Sequence, residues 1–218
     1  MRKIFSMDDY AKLLQTKEDL HKDLVDYLED GDMFPMLRHP LVFQVPYFEN
    51  MNAIINKQYA YKKDILKKYI KEGDLAGYLF AHERPYRLNA FMKINHKFSD
   101  KEYWNNLKSI WTDSENIYQN KFSWKSLLSS NRKCKEDFMT KEDLKFFKEL
   151  PETITVYRGC TKELNERGYS YTTEREQAQW FADRFGNDES KVIELTIKKK
   201  DVFAYTNSRS ENEIIIVK

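Results

Sequence analysis

Polar and charged residues interrupt the apolar runs in the last third of the chain. They form three short motifs: Arg158-Gly159, Ser170-Tyr171-Thr172 and Glu211-Asn212-Glu213. An arginine at the end of a strand can direct its permanently charged guanidinium at an anion, and the glycine after it lets backbone and ligand approach closely. In an extended segment Glu211 and Glu213 project to the same side. Because paired carboxylates repel each other, they indicate a task that involves positive charge.

Several other kinds of site receive little or no support from the sequence. The four histidines are scattered along the chain: His21, His39, His82 and His96. This spacing gives little support to a zinc hydrolase, and no metal site is predicted. No glycine-rich dinucleotide motif, P-loop motif or serine nucleophile elbow occurs. Cys134 and Cys160 are too few for a disulfide scaffold, and we interpret Cys160 as a buried residue rather than a nucleophile.

The three motifs fall on or beside predicted strands. β-branched and aromatic residues predict strands in five places: Thr153–Tyr157, Gly168–Thr173, Lys191–Ile197, Phe203–Tyr205 and Glu213–Val217. Between the second and third of these, Glu176–Phe185 has the periodicity of a helix. The residue pattern changes at Pro151 from one typical of helices to one typical of strands.

The residues before Pro151 read mostly as helix. The predicted helical segments are Asp9–Leu28, Met51–Lys71 with an end near Gly73, Asp74 toward Phe80, Ser99–Trp111 opened by a capping box, and a start at Thr140. The fold class is therefore α+β, with a helical N-terminal part followed by a mostly antiparallel β core. We divide the chain into residues 1–100 and 101–218, the latter with a helical lead-in over 101–150 and a strand-rich core over 151–218.

Composition narrows the class of protein further. The 218 residues are 41% hydrophobic and 33% charged, with 6 Gly and 5 Pro, which excludes a low-complexity or disordered chain. No apolar run reaches the length of a membrane span, and no secretory signal is visible, so a cytoplasmic protein is expected. Basic residues outnumber acidic ones 10 to 5 in residues 51–100. This excess is either the solvated side of a helix, which we favour, or a face for an anionic partner.

In order and type, the three motifs resemble those of the mono-ADP-ribosyltransferases of the Arg–Ser–Glu class, which includes cholera toxin and the clostridial actin-modifying toxins. There one strand carries the arginine, a second carries Ser-x-Ser/Thr, and a loop before the last strand carries Glu-x-Glu. The segment Phe181-Ala182-Asp183-Arg184 also resembles the Phe-Ala-x-Arg segment of the actin-modifying members. The resemblance covers residues 151–218, and 104–150 are more loosely similar to bacteriophage-encoded members. Tyr171 and Arg167 depart from the residues usual at their positions in the family.

The resemblance implies NAD as the substrate and an ADP-ribosyltransferase-type core. Glu213 would stabilise an oxocarbenium-like transition state, as carboxylates do in glycosidases. Glu211 would orient or deprotonate the acceptor, and Ser170 would fix Glu213. The remaining implied residues bind NAD: Arg158 on a phosphate or the nicotinamide ribose, Gly159 through its backbone, Thr172, Phe181 by stacking, and Arg184 on a phosphate.

The activity implied is transfer of ADP-ribose from NAD to an arginine of a protein, because a glutamate at position 211 goes with guanidinium acceptors in the family. For a bacteriophage-encoded member the acceptor is a host protein in the host cytoplasm. Two alternatives stay open in the same catalytic class, NAD hydrolysis and modification of a nucleic acid, for which Lys62–Lys71 is a candidate substrate face. A third alternative is an inactive binding or inhibitor protein on the same fold. No membrane partner is expected, and the oligomeric state stays open.

Overall fold

The chain forms two compact units, which divide between Lys97 and Phe98. The structure, a computed structural model, describes residues 6–162, 165–184 and 189–217. The predicted α+β class is confirmed, because a mostly helical N-terminal part is combined with antiparallel sheets. Within the described ranges no helix is both long and apolar enough to cross a membrane.

The N-terminal unit combines helices with a small sheet. Its helices are α1 (Met7–Gln15), α2 (Lys22–Val25), α3 (Asn52–Glu72), α4 (Leu75–Ala81) and α5 (Arg87–Ile94). Its strands β1 (Leu28–Glu29), β2 (Met36–His39) and β3 (Val42–Gln44) pair antiparallel in that order. The predicted end of α3 is confirmed, because Gly73 caps it at φ 73°. The Asp74 side chain accepts a hydrogen bond from Gly77 N–H at the start of α4, as expected of a cap.

The single helix predicted over Asp9–Leu28 is wrong, because α1 ends at Gln15 and the chain turns before α2. Two asparagines of α3 hold this turn. Asn52 Nδ2 donates to the carbonyl of Glu18 at 3.1 Å, and Asn56 Nδ2 donates to the carbonyl of Asp19 at 2.8 Å. Periodicity within the segment cannot indicate such partners, since they lie more than 30 residues away in the chain.

The three-stranded sheet of the N-terminal unit was not predicted either. Gly31 and Pro35 lie between β1 and β2, and Pro40 lies between β2 and β3. The inward side chains of the strands join a core with α2 and α3 whose buried residues are Leu24, Leu37, Leu41, Val42, Tyr47, Ile55 and Tyr59. Strands this short need such packing, because an isolated hairpin is marginal in water.

The C-terminal unit carries the strand-rich core. Its elements are α6 (Asp100–Asp113), α7 (Lys121–Leu128), α8 (Lys141–Glu149), β4 (Thr153–Thr161), β5 (Ser170–Thr172), α9 (Arg175–Asp183), β6 (Ser190–Lys198), β7 (Ala204–Thr206) and β8 (Glu213–Ile215). The sheet order is β6-β4-β5-β8-β7, with all neighbours antiparallel. The capping boxes opening α6 at Ser99 and α8 at Thr140 are confirmed. All five predicted strands and the helix of 176–185 are present, although Phe185 lies outside the described residues.

Apolar side chains hold this sheet in place. One core cluster joins the sheet to the end of α8 through Leu150, Ile154, Val156, Ile197, Val202, Tyr205, Ile214 and Ile216. A second group is aromatic, and Trp104, Trp111, Trp124 and Phe138 are all fully buried. Burying a large apolar side chain contributes about 1.5–3 kcal/mol. Together these residues form a rigid support for the polar side chains described next.

Candidate active site

A cleft of about 690 Å³ in the C-terminal unit brings together the motifs found in the sequence. Its lining includes all eight predicted site residues: Arg158, Gly159, Ser170, Thr172, Phe181, Arg184, Glu211 and Glu213. They come from β4, β5, α9 and β8 with the loop before it. Sites for small molecules commonly enclose about 300–1,000 Å³. The cleft is therefore of a size that suits a small-molecule ligand.

Glu213 begins β8 and is the most buried acidic residue of the cleft. The register places it opposite Thr172 of β5 and Thr206 of β7, and it is only 4% exposed. Trp111 donates one N–H to both carboxylate oxygens, with Nε1 at 3.2 Å from Oε1 and 3.1 Å from Oε2. Ser170 provides a further side-chain hydrogen bond to the carboxyl group. The carboxylate is thus held from two sides.

Burial raises the pKa of the Glu213 carboxyl above its ordinary value of 4.5. Hydrogen bonds from Ser170 and Trp111 and the charge of Arg209 lower this pKa in part, whereas the charge of Glu211 raises it. A carboxylate with so little water around it attracts a cation more strongly than an exposed one does. Glu213 is therefore suited to stabilising positive charge that develops inside the cleft.

Trp111 reaches Glu213 because an aromatic cluster fixes its ring. It lies in the last turn of α6, and its ring meets that of Trp124 edge to face at a centroid distance of 4.9 Å. Phe138 meets the same ring at 6.5 Å. Sequence reasoning missed Trp111, because 102 residues separate it from Glu213 and no local pattern distinguishes it from a core tryptophan.

The loop before β8 brings Glu211 to the cleft by a turn rather than by an extended strand. The expectation that Glu211 and Glu213 share one face of an extended segment is wrong, because Asn212 between them has φ 45° and Ser210 has φ 58°. Asparagine tolerates this left-handed region better than most residues. Its side chain fixes the turn, since Oδ1 accepts from the Tyr205 hydroxyl at 2.7 Å. Both carboxylates nevertheless line the same cleft.

Glu211 is more accessible than Glu213, with a side chain that is 20% exposed. Its Oε2 lies 3.4 Å from Nε of Arg209, which also lines the cleft. The Thr172 hydroxyl donates to the Glu211 carbonyl at 2.8 Å and accepts from the Glu174 N–H at 3.1 Å. Thr172 therefore uses its hydroxyl to hold the acidic loop against β5.

The Arg158 side chain is partly buried and bound to backbone carbonyls. Its Nε and Nη2 donate to the Asn165 carbonyl at 3.2 and 3.0 Å, and Nη1 donates to the Ser170 carbonyl at 2.6 Å. Burial lowers the pKa of Arg158, although a guanidinium stays protonated in proteins. These bonds use three of its five N–H groups. Arg158 thus ties the loop before β5 to the strand and keeps donors for a ligand.

Two glycines provide the space that this arrangement requires. A β-carbon on Gly168 would overlap the Arg158 guanidinium, so the absence of a side chain at this position lets that group approach the backbone closely. A β-carbon on Gly159 would overlap the carbonyl oxygen of Ala178 and lie 2.5 Å from the backbone nitrogen of Ala182. Gly159 therefore allows α9 to pack directly on β4. This packing is a different reason for the glycine from the close approach of a ligand that the sequence indicated.

Phe181 of α9 and Arg184, the residue that follows this helix, form part of the rim of the cleft. The Phe181 ring meets Trp180 edge to face at 5.0 Å, and the Arg184 guanidinium lies 5.7 Å from the centre of the Trp180 ring. Trp180 itself is 55% exposed. The rim thus combines aromatic surface with positive charge.

The structure adds residues to the cleft that the sequence did not indicate. The lining includes Tyr118, Lys121 and Arg209, and also Tyr171 between the predicted site residues Ser170 and Thr172. Trp111 is fully buried outside this lining and contacts Glu213. Tyr171 packs against the apolar core cluster of the sheet, and the Arg158 guanidinium lies 6.0 Å from its ring centre. Arg209 lies two residues before Glu211. This short distance along the chain could have indicated from the sequence that Arg209 lies near the acidic motif.

Cys160 also lines the cleft, but its surroundings do not favour a nucleophilic thiolate. Cys160 is buried and free, and burial raises the pKa of its thiol, which disfavours the reactive thiolate. Across residues 6–162, 165–184 and 189–217, no group of three or more His, Cys, Asp and Glu side chains is arranged to hold a metal ion.

Comparison with protein-family models, curated proteins and solved structures finds no match for the chain.

Proposed function

We propose that the chain is an NAD-dependent mono-ADP-ribosyltransferase that modifies arginine in a protein. The observation that carries the proposal is the convergence of three separate motifs on one cleft, with a buried carboxylate at its floor. Arg158, Ser170 and Glu213 come from three different strands, and all of them line this cleft. A chance set of motif residues would be spread over the surface of the unit.

The charges of the cleft suit NAD. The guanidinium groups of Arg158, Arg184 and Arg209 line it together with Lys121, and such groups bind diphosphates well. The buried carboxylate of Glu213 suits the other end of the molecule, where the nicotinamide ring carries a positive charge. The cleft therefore has complementary partners for both the anionic and the cationic portion of the substrate.

Glu213 would carry the first step of the reaction. The bond between nicotinamide and ribose breaks, nicotinamide leaves with the bonding electrons, and positive charge develops on the ribose. A desolvated carboxylate, already oriented by Trp111 and Ser170, stabilises this charge without having to reorganise. The raised pKa of Glu213 means that activity requires a higher pH than an ordinary glutamate would need.

Glu211 would act on the acceptor. Its carboxylate is accessible from the cleft and already contacts one guanidinium, that of Arg209. This contact shows that the Glu211 carboxylate can bind a guanidinium, as an arginine acceptor would require. Glu211 would then take a proton from the guanidinium nitrogen as that nitrogen bonds to the ribose carbon.

A labelling experiment tests the proposal. The chain is incubated with labelled NAD and a lysate of a bacterial host, and labelled protein is detected after treatment with nuclease. We expect the wild type to label protein and Glu211→Gln to lose labelling while it still hydrolyses NAD. The matched control is Glu194→Gln, an exposed strand residue outside the cleft lining, which should label like the wild type.

The remaining alternatives predict different outcomes of this experiment. Nicotinamide release without any labelled macromolecule would favour NAD hydrolysis. Label that nuclease removes would favour a nucleic-acid acceptor, and binding of that acceptor should then weaken steeply with salt. Calorimetry that detects no binding of NAD would contradict the proposal and favour an inactive binding protein on the same fold.

A further inference from the structure

A helix outside the cleft holds the acidic loop, residues 207–212, which carries Glu211. Within the described residues, α8 contributes nothing to the lining of the cleft. Its third residue, Asp143, is nevertheless only 5% exposed, and its Oδ1 accepts a hydrogen bond from the Asn207 backbone N–H at 3.0 Å. Asn207 follows β7 directly. The carboxylate of Asp143 therefore ties α8 to the start of the acidic loop.

Each oxygen of the Asp143 carboxylate has its own hydrogen-bond partner. Oδ2 accepts from the Thr140 N–H at 3.3 Å, and the Thr140 hydroxyl accepts from the Asp143 N–H at 3.0 Å, which together form the capping box of α8. This box uses Oδ2 and leaves Oδ1 over. Oδ1 is bound instead by Asn207, 64 residues later in the chain. The cap at the start of α8 therefore does not account for the whole environment of Asp143.

The hydrogen bond from Asn207 is the first of a series that reaches the acidic motif. Asn207 Oδ1 accepts from the Asn212 N–H at 3.1 Å, and Asn212 lies between the two glutamates of the motif. Asn212 Oδ1 accepts from the Tyr205 hydroxyl at 2.7 Å. The Tyr205 ring in turn stacks on Phe146 of α8 at a centroid distance of 4.2 Å. The helix α8 thus supports the acidic loop at two points.

The backbone of the acidic loop requires such support. Ser210 and Asn212, on either side of Glu211, have φ 58° and 45°. Residues other than glycine adopt this left-handed region at a cost in energy, and they keep it only where the surrounding structure holds them. Glu213 depends less on this support, because β8 pairs with β5 and β7 and Trp111 binds its carboxylate. Loss of the bond between Asp143 and Asn207 should therefore displace Glu211 more than Glu213.

We propose that Asp143 is a positioning residue for the transfer step and holds Glu211 towards the acceptor through Asn207 and Asn212; this rests on the proposed function. Asp143 lies outside the cleft lining and contacts neither NAD nor the acceptor. Without it, nicotinamide still leaves and positive charge still develops on the ribose beside Glu213. Water then competes better for the ribose carbon, because Glu211 no longer holds the acceptor in place. The water adds to this carbon and loses a proton to the solvent, so a larger share of the NAD is hydrolysed.

The share of cleaved NAD that reaches protein tests this proposal. The purified chain is incubated with labelled NAD and a bacterial host lysate. Protein-bound label is divided by the nicotinamide released, after subtraction of the release by lysate alone. We expect Asp143→Ala to lower this ratio about tenfold, since a hydrogen bond to a charged group is lost. A variant that is merely less stable would lower label and nicotinamide together and leave the ratio unchanged.

The matched control is Thr140→Ala. It removes the other half of the same capping box but keeps the carboxylate that binds Asn207, so its ratio should equal that of the wild type. Asn207→Ala, at an exposed position, removes the acceptor of the Asn212 N–H and should lower the ratio as Asp143→Ala does. The double variant should be no worse than the more affected single variant, because both substitutions interrupt one series of hydrogen bonds.

The outcomes separate this inference from the proposed function. An unchanged ratio in Asp143→Ala or in Asn207→Ala would overturn the inference and leave the proposed function standing. An equal fall in Thr140→Ala would also overturn it, because the cap of α8 would then be responsible. If Asp143→Ala does not fold, the ratio measured for Asn207→Ala decides. If the wild type releases no nicotinamide or labels no protein, the proposed function fails, and the inference fails with it.

Discussion

Replacing Glu213 by glutamine should make the protein more stable while it removes the proposed activity. Glutamine has nearly the same shape, and its carbonyl can still accept the hydrogen bond from Trp111. Glutamine carries no charge, whereas the charge of the Glu213 carboxylate is disfavoured by burial, since this side chain is only 4% exposed. Because burial disfavours the charged form of a carboxyl group, a neutral group of the same shape at this position should raise the free energy of unfolding.

The sign of the pH dependence follows from the raised pKa of Glu213. Below the ordinary pKa of 4.5 the carboxyl is protonated in both the folded and the unfolded chain, and its charge has no effect. As the pH rises through the raised pKa, the folded protein must hold a buried charge, and the wild type loses about 1.4 kcal/mol for each unit of the shift. Glu213→Gln does not suffer this loss.

Thermal unfolding from acidic to alkaline pH measures this difference. For a chain of this size about 1 kcal/mol corresponds to a change of about 2–4 °C in Tm. We expect the Tm of Glu213→Gln to match that of the wild type in acid, to exceed it by a growing margin between pH 4.5 and the raised pKa of Glu213, and to exceed it by a constant margin above that pKa. The control Glu194→Gln, at an exposed position, should differ from the wild type by less than about 0.5 kcal/mol. A Glu213→Gln variant that is less stable at high pH would refute the view that burial disfavours this charge.

Three further substitutions test how the site is built. Trp111→Phe keeps an aromatic ring but removes the N–H donor to Glu213, so nicotinamide release should fall about tenfold or more. The acidic limb of the pH–rate profile of this variant should move to higher pH, because a hydrogen bond that lowers the pKa of Glu213 is lost. An unchanged pH–rate profile would contradict the role of Trp111 as a hydrogen-bond donor to Glu213. Gly159→Ala should lower the free energy of unfolding in urea by about 1–3 kcal/mol, because the new methyl group overlaps the Ala178 carbonyl; a fully stable variant would show that α9 does not pack as described. Asn212→Ala should lose more stability than Asn212→Gly, by about 1 kcal/mol, because residue 212 has φ 45°; the reverse order, measured by the same urea unfolding, would contradict the left-handed turn.

Features with local causes could be predicted from the sequence. The capping boxes at Ser99 and Thr140 open helices because their side chains bond to residues only three positions away. Gly73 ends α3 because glycine adopts the left-handed conformation without strain. The strands that carry Arg158 and Glu213 follow in the same way from short β-branched and aromatic runs.

Features that depend on distant partners could not be predicted. The break after α1 depends on Asn52 and Asn56, whose hydrogen bonds span more than 30 residues. The orientation of Glu213 depends on Trp111, 102 residues earlier, which an amphipathic pattern assigns only to a core. The turn at Asn212 shows the same limit at short range, because the alternation rule assumes an extended backbone that this loop does not have.

The most direct test of the central claim is the release of nicotinamide from NAD by the purified chain. We expect the wild type and Glu194→Gln to release nicotinamide at equal rates, and Glu213→Gln, shown by its Tm to be folded, to release none above the uncatalysed background. Equal release by Glu213→Gln and the wild type would contradict the account, because the buried carboxylate would then have no part in breaking the bond.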